Sequence, residues 1–202
     1  MKPAARSIAA VVLAAGRSAR MGRCKALLNI GGKPMIRHIL DSLAQADIDQ
    51  RMVITGHDAD LVRSAIGDAK VAHNPGYANG MISSVKVGVA AMRDNCDAMF
   101  IVLGDHPLIQ VDTFRQLIER WTAHSDEIIQ PRYDGKPGHP VIIPVAYADS
   151  ILALPPNATL KTWIQTKADR IQFVDVDDPG IRMDVDTAED YQRAVDLFST
   201  RV

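Results

Sequence analysis

The residues best suited to chemistry begin in a basic loop near the start of the chain. The segment "AAGRSARMGRCK" (14–25) carries four cations within nine residues, Arg17, Arg20, Arg23 and Lys25. Small residues such as Gly16 let the backbone approach a ligand closely, and backbone N–H groups combined with arginine and lysine bind phosphate. The spacing fits neither the dinucleotide pattern GxGxxG nor the pattern GxxxxGKS/T. The loop therefore predicts a phosphate site, with a solvated basic loop as the alternative.

Two acidic segments offer ligands for a metal ion. "VLGDHPLI" places Asp105 directly after an apolar run, and "RMDVDTAED" contains Asp184 and Asp186 in alternation. Mg²⁺ binds one or two carboxylates together with phosphate oxygens, and alternate residues of an extended segment face the same side. Each segment has a structural alternative. Gly-Asp-x-Pro is a good turn sequence, and Asp186, three residues before Glu189, fits a helix cap.

Two further segments contain candidate binding residues. "NPGYANGMISS" (74–84) precedes a helical pattern, and Ser83 as the N-cap of that helix is the alternative to ligand binding. "GKPGHPVII" (135–143) places His139 among turn residues, where a histidine held by the backbone is the alternative. Spacing alone does not decide between these interpretations.

Strands and helices must alternate to position these segments. Apolar runs of strand length and amphipathic segments of helical spacing follow one another along the first two thirds of the chain. The pattern predicts strands over 8–13, 51–55, 70–73 and 97–103, and helices over 34–46, 58–66, 83–94 and 111–124. Such an order implies parallel strands with helices on both faces and ligands at the carboxyl ends of the strands.

The last third has a different pattern. Residues 127–133 and 139–144 flank "DGKPG" and predict a hairpin or β-arm. Two short helices, a strand over 170–176, an extended piece at 181–185 and a helix over 187–200 follow. We find no repeat or linker, so the sequence predicts a single domain spanning 1–202.

Composition excludes several classes of protein. The 202 residues carry 23 Lys and Arg against 24 Asp and Glu, so no basic excess indicates nucleic acid or an anionic membrane. Cys24 and Cys96 show no pairing or zinc-binding pattern. The basic flank and apolar run at 8–15 also permit an export signal, although the run is short. We favour a first strand and a cytoplasmic protein.

The segment 13–25 resembles the LAAGxSxRMGxxK signature of nucleotidyltransferases, and nearly the whole chain is similar to the MobA/MocA-like family. The further matches are GDxP at Gly104, Asp105 and Pro107, NPxY at 74–77, GHPV at 138–141 and DxDT at 184–187; Ala188 departs from the family's usual proline. The resemblance implies a three-layer α/β/α fold, with a mostly parallel, Rossmann-like sheet of the GT-A type and a small β-arm in the C-terminal third.

The resemblance also implies roles for individual residues. Lys25, Arg20 and Asp105 would be catalytic, and Asp105, Asp184 and Asp186 would hold Mg²⁺, with Mn²⁺ as the alternative ion. The acceptor would contact His106, Pro107, Gly138, His139 and Pro140. The nucleotide would be bound by Leu13, Ala14, Ala15, Gly16, Arg17, Arg20, Met21, Gly22, Lys25, Asn74, Gly80, Ser83, Ser84, Gly104 and Asp105.

The implied reaction joins a nucleotide to the terminal phosphate of molybdopterin and releases pyrophosphate. Guanylyl-transferring members tend to carry LAGG, so Ala15 together with GHPV favours CTP as the substrate. A molybdenum hydroxylase apoenzyme would then receive the product. The alternatives are a GTP-using enzyme, transfer to another phosphate acceptor such as a sugar phosphate or methylerythritol phosphate, and a non-catalytic carrier of molybdenum cofactor.

Overall fold

Strand β1 (Ile8–Ala14) runs through the middle of a mixed sheet, hydrogen-bonded in parallel to a strand on either side. The structure, a computed structural model, describes residues 6–17 and 22–201. The remaining strands are β2 (Asn29–Ile30), β3 (Lys33–Pro34), β4 (Arg51–Thr55), β5 (Lys70–His73), β6 (Ala98–Leu103), β7 (Ile128–Tyr133), β8 (Lys136–Pro137), β9 (Val141–Pro144) and β10 (Ile171–Asp175). The interpretation of residues 8–13 as a first strand is therefore confirmed.

Seven α-helices in the described part of the chain connect or flank these strands. They are α1 (Met35–Gln45), α2 (Ala59–Ala65), α3 (Met81–Met92), α4 (Val111–Ala123), α5 (Ala148–Leu152), α6 (Leu160–Gln165) and α7 (Ala188–Arg201). Short 3₁₀ turns lie at Lys25–Leu27, Tyr77–Asn79, Val145–Tyr147, Ala168–Arg170 and Pro179–Arg182. None of the helices in this part of the chain is both long and apolar enough to cross a bilayer.

The main sheet has the order β10-β7-β9-β6-β1-β4-β5, with β8 paired to β7. Pairs β1–β4, β1–β6, β4–β5 and β7–β10 are parallel, whereas β9 runs antiparallel to both β6 and β7. The predicted α/β class with a mostly parallel sheet is confirmed. The predicted β-arm is integrated into this sheet, because the backbone of β9 fills the position between β6 and β7.

The two faces of the sheet bury separate apolar clusters, which makes the fold three-layered. Along β1, Ala10 and Val12 face one cluster and Ala9 and Val11 face the other, as the two-residue period of a strand requires. Helices α1 and α4 cover the first face, whereas α3, α5 and α6 cover the second. β1 is thereby buried on both sides, which explains its uninterrupted apolar sequence.

The predicted elements differ from the observed ones mainly in short segments. The sequence pattern did not reveal the β2–β3 hairpin, against which α7 packs through a third apolar cluster that includes Ile30, Val185 and Ala194. The extended piece predicted at 181–185 begins inside a 3₁₀ turn, because buried Asp178 accepts hydrogen bonds from the backbone N–H groups of Gly180 and Gln110. This carboxylate fixes the chain near residue 180 against the loop that follows β6.

Close packing of α3 on β1 gives a test of the central layer. A Cβ atom on Gly88 would lie 2.2 Å from a Cγ atom of buried Val11. Because overpacking forces neighbouring side chains to move, we expect Gly88→Ala to lower the free energy of unfolding by about 1–3 kcal/mol. Urea denaturation measures this, with Ala90→Ser on the exposed side of the same helix as the control, expected to change stability by under about 0.5 kcal/mol. Equal stability of both variants would contradict the packing.

Candidate active site

The sheet has its switch point between β1 and β6. From β1 the chain proceeds to β4 and β5 on one side, and it then returns to place β6 on the other side of β1. The loops that leave the carboxyl ends of β1 and β6 therefore diverge, and in such sheets the gap between them forms the ligand crevice. Residues 13–16 and 103–105 line a cleft of about 240 Å³ at this position.

Gly104 allows the two loops to approach each other. Its N–H donates a 2.9 Å hydrogen bond to the carbonyl of Leu13, and a Cβ atom at position 104 would lie 2.5 Å from the same oxygen. Any side chain there would therefore push the loop after β6 away from β1. Gly104 thereby sets where the next residue, Asp105, stands in the cleft.

Lys25 joins the two acidic segments. Its Nζ atom lies 2.5 Å from Oδ1 of Asp186 and 3.3 Å from Oδ2 of Asp105, in a partly buried setting. Burial lowers the pKa of the Lys25 ammonium, but the hydrogen bond to Asp186 and the charge of Asp105 outweigh it and raise the pKa overall. One cation thus lies between two carboxylates that come from distant parts of the sequence.

Asp105 is held in its charged form. Burial alone raises the pKa of this carboxyl, whereas the hydrogen bond from His106 and the charge of Lys25 lower it to about 2. The ring Nδ1 of His106 lies 3.0 Å from Oδ1 of Asp105. Because an ionised carboxylate only accepts hydrogen bonds, that nitrogen is the donor. Both oxygens of Asp105 therefore have a partner.

Asp186 does not cap the last helix. Thr187 and Asp190 form a reciprocal capping pair at the start of α7, in which Asp190 accepts from the backbone N–H of Thr187 and Thr187 Oγ1 accepts from the N–H of Asp190. The carboxylate of Asp190 also accepts from the N–H of Asp186. The capping interpretation of Asp186 is therefore wrong, and its side chain points to Lys25 instead.

Asp184 is not placed with the other two carboxylates. It is exposed and lies in a shallow groove beside Arg182, Asp190 and Arg193, whereas Val185 is buried and its N–H donates to the carbonyl of Asp105. Residues 183–186 are not part of a strand, so the alternation that a strand would impose on Asp184 and Asp186 does not apply. The expected convergence of Asp184 with Asp105 and Asp186 is corrected accordingly.

A buried polar network shapes the wall of the cleft next to α3. The amide of Asn74 donates to the hydroxyl groups of Ser83 and Ser84, and its Oδ1 accepts from the N–H of Gly76. Helix α3 begins two residues before the predicted start, with Gly80 at φ +93° as its N-cap, so the interpretation of Ser83 as N-cap is wrong. Gly80 and Ser84 both line the cleft.

The remaining residues of the basic loop are only partly described. Arg17 is exposed, and its guanidinium lies 5.5 Å from the ring centroid of Tyr77. Gly22 is exposed with φ +63°. Arg20 and Met21, both predicted to bind nucleotide, lie outside the described residues.

A second, apolar cavity adjoins the cleft. It measures about 450 Å³, and Leu13, Met81 and Leu103 line both cavities. Among the predicted acceptor residues, Gly138 and His139 line this cavity, Pro140 follows in a cis peptide, and Pro107 is buried in the loop after Asp105. We call this second cavity the apolar groove.

His106 links the cleft to the apolar groove. Its ring is buried beside Asp105, and its centroid lies 6.0 Å from that of His139 in an edge-on contact. Burial lowers the pKa of His139 to about 4, so this imidazole is neutral at pH 7. His106 thus contacts both Asp105, which lines the cleft, and His139, which lines the apolar groove.

Sequence patterns left several cavity residues unassigned. Tyr77 lies within the NPxY match, and Cys24 and Ala26 flank Lys25, so their neighbours pointed to them. The apolar groove is different, because Leu160, Ile164 and Phe173 come from α6 and β10 and carry no chemical pattern.

Cys24 and Cys96 are free thiols, as expected. Burial and the nearby Asp58 raise the pKa of Cys24, so it is not an activated nucleophile.

The two converging carboxylates fit a hard divalent cation. Asp105 and Asp186 already contact one positively charged atom, and Mg²⁺ or Mn²⁺ in nucleotide sites takes one or two carboxylates and completes its shell with phosphate and water. No set of three or more His, Cys, Asp or Glu side chains capable of holding a metal occurs within the described ranges. Water or phosphate oxygens would complete the shell of a metal held by these two carboxylates.

Comparison with known proteins agrees with this architecture. Residues 10–171 match the MobA-like NTP transferase domain. The chain is 26% identical over 197 residues to molybdenum cofactor cytidylyltransferase of Escherichia coli, covering 96% of this chain and 98% of that protein.

Solved structures of similar length share this fold. Rv0371c from Mycobacterium tuberculosis superimposes with a TM-score of 0.78 and 30% identity over 95% of this chain and 98% of that one. A structure of the same mycobacterial protein in complex with manganese gives a TM-score of 0.74 and 28% identity, covering 94% and 98%.

The charge arrangement at Lys25 predicts a pH dependence of stability. Because the folded-state pKa of Asp105 is depressed to about 2, its ionisation stabilises the fold above pH 4, and this contribution is lost as pH falls toward 2. We expect Asp105→Asn to be less stable than the unmodified protein by roughly 1–2 kcal/mol at pH 7. Denaturant unfolding at pH 7 and pH 3 measures this difference, which should shrink at the lower pH.

The matched control is Asp184→Asn, since the exposed Asp184 lies outside the Lys25 cluster. Its effect on stability should be small at both pH values. A deficit in Asp105→Asn that stays the same from pH 7 to pH 3 would contradict the assigned charge state of Asp105.

Proposed function

The chain belongs to the MobA-like NTP transferase family, and we propose that this nucleotidyltransferase transfers CMP from CTP to the terminal phosphate of molybdopterin or molybdenum cofactor, releasing pyrophosphate. The observation that carries the proposal is the meeting of Lys25, Asp105 and Asp186 in the cleft beside the glycine-containing loop. Full-length similarity to the E. coli cytidylyltransferase supports the choice of substrates. Family membership also argues against the non-catalytic carrier alternative.

The cleft has groups suited to each part of a nucleoside triphosphate. Backbone of residues 14–16 and the ammonium of Lys25 border the side where phosphates would bind. Gly80 and Ser84 at the start of α3 would contact ribose and base. The amide of Asn74 holds the hydroxyl groups of Ser83 and Ser84 in place. Ala15 is buried and lines the cleft. Its methyl group would leave less room there than the second glycine of the LAGG motif, which supports the proposal of CTP rather than GTP.

Asp105 and Asp186 would hold Mg²⁺, or Mn²⁺ in its place. The metal would supply charge neutralisation at the triphosphate, which together with positioning dominates catalysis of nucleotidyl transfer. Lys25 would neutralise phosphate charge next to it, and Arg20 is proposed for the same task. The acceptor phosphate is largely ionised near neutral pH, so no side chain needs to act as a general base.

The apolar groove is the proposed site for the body of the acceptor. Its walls are mainly aliphatic, and it shares Leu13, Met81 and Leu103 with the cleft. Phe173 adds an aromatic ring, and the polar side chains of the lining are Gln130, His139, Thr159, Lys161 and Gln165. A flat heterocycle lying there would have its phosphate end directed toward the nucleotide. The nucleotide-linked cofactor would pass to a molybdenum hydroxylase apoenzyme. We further propose that the protein acts in the cytoplasm and that residues 1–202 form a single domain.

Measurement of pyrophosphate release decides the substrates. The protein is incubated with Mg²⁺, molybdopterin and one nucleoside triphosphate at a time. We expect release with CTP and much less with GTP. Release with GTP alone would exclude the cytidylyl assignment in favour of guanylyl transfer, and release with CTP only when a sugar phosphate or methylerythritol phosphate replaces molybdopterin would identify a different acceptor.

Replacement of the acidic residues tests the metal assignment. We expect Asp105→Ala and Asp186→Ala each to lower kcat/KM by at least about 100-fold, because charge stabilisation at the phosphates is lost. Asp184→Ala is the matched control, since its side chain lies in a separate exposed groove, and its activity should stay within about three-fold of the unmodified protein. A loss in Asp184→Ala as large as that in Asp186→Ala would reverse the assignment.

A charged side chain in the apolar groove tests the acceptor site. Phe173 lines the groove and is partly exposed, so Phe173→Glu should fold while opposing an apolar ring. We expect the KM for molybdopterin to rise by at least about ten-fold, since burial of an apolar ligand surface is lost, with the KM for CTP unchanged. Leu61→Glu is the control because Leu61 is also exposed and apolar but lies outside the groove. An equal rise in both variants would argue against the groove.

A further inference from the structure

Lys25 occupies the same place that the proposed metal needs. Its ammonium makes ion pairs with both carboxylates that would hold the cation, at 2.5 and 3.3 Å. Only 18% of the Lys25 side chain is exposed, and its pKa is raised overall by these two partners. An ammonium and a divalent cation cannot both lie within hydrogen-bonding or coordination distance between the same oxygens without strong repulsion.

We propose that Lys25 is a built-in counterion, which a divalent cation displaces from Asp105 and Asp186 and which then binds the triphosphate. The exchange couples two events. Metal binding releases the ammonium from its carboxylates, and the incoming phosphates give the ammonium new partners. This inference rests on the proposed nucleotide site and concerns its regulation.

The anchoring of the three residues makes such an exchange feasible. Asp105 is fixed by Gly104 against β1 and by the hydrogen bond from His106, and Asp186 is fixed by the N–H contact with Asp190. Lys25 lies in a single 3₁₀ turn and reaches both carboxylates through a long, rotatable side chain. The carboxylates therefore stay in place while the ammonium changes partners.

Reciprocity gives the inference a sharp signature. In the unmodified protein each of the two ligands, metal and nucleotide, strengthens the binding of the other, because the coupling of two sites is mutual. Removal of the ammonium leaves the carboxylates unneutralised. Metal alone should then bind more tightly than before, although the metal–nucleotide complex has lost a phosphate contact. If Lys25 only held phosphate, its removal would leave the binding of metal alone unchanged, and if it only supported the fold, the binding of metal alone would weaken.

The test is Mn²⁺ titration followed by electron paramagnetic resonance, without molybdopterin. We expect Lys25→Met, which keeps the length of the side chain, to bind Mn²⁺ about ten-fold more tightly than the unmodified protein when no nucleotide is present. With CTP present, the gain in Mn²⁺ affinity that the unmodified protein shows should be reduced at least about five-fold in the variant. Lys33→Met is the control, because Lys33 pairs with Asp41 on the exposed surface.

The proposal would be overturned if Lys25→Met bound Mn²⁺ with the same affinity as the unmodified protein, more weakly, or not detectably. A second measurement on the unmodified protein avoids dependence on folding of the variant. Acetylation of Lys25, followed by mass spectrometry and referred to Lys33, should become faster when Mn²⁺ is added, because the ammonium has left its carboxylates; no change or slower acetylation would also overturn it. Neither experiment needs turnover, so failure of CMP transfer and failure of the exchange are separable.

Discussion

The contact of one ammonium with two carboxylates is the interaction on which the site depends. Lys25 is 80 residues from Asp105 and 161 residues from Asp186 along the chain. The segment that carries Lys25 and the two segments that carry Asp105 and Asp186 meet only because the loops after β1 and β6 start side by side and the segment before α7 returns to them. The apolar sheet supplies this geometry, and the ion pairs compensate charges that burial would otherwise make costly.

The segment before α7 shows how this convergence is built from small local constraints. Buried Asp178 accepts from backbone N–H groups on both sides of the junction, and a Cβ on Gly180 would lie 2.4 Å from the carbonyl of Leu108. The N–H of Val185 then pairs with the carbonyl of Asp105. Asp186 thus follows directly from a stretch of backbone that is attached to the loop carrying Asp105. The relative position of the two carboxylates therefore depends on main-chain contacts. The alternation of Asp184 and Asp186 in the sequence does not reveal those contacts.

Much of the fold and part of the site could be predicted from the sequence for the same physical reason. Strand β4 has the predicted bounds because a buried parallel strand requires a continuous apolar run, and the residues after strands β1 and β6 face the crevice by topology. Asp184 could not be separated from Asp186, since that depends on a 3₁₀ turn and on the capping pair of Thr187 and Asp190. The walls of the apolar groove, such as Leu160 and Phe173, resemble core residues in type and become a cavity only through tertiary packing.

The two cavities divide recognition into a rigid half and an adaptable half. The cleft is formed by backbone at Gly104 and Gly80 and by the Asn74 network, where substitution has direct steric or hydrogen-bonding consequences. The apolar groove is formed by side chains of helix α6 and edge strand β10, which can be exchanged for others of similar volume at small cost. If the groove holds the acceptor, as proposed, a change of acceptor requires few constraints to be broken, whereas substitutions in the cleft would disturb the contacts that hold the sheet loops together. This asymmetry explains why the motifs that predict the reaction cluster in the cleft, and why the sequence carries so little information about the acceptor.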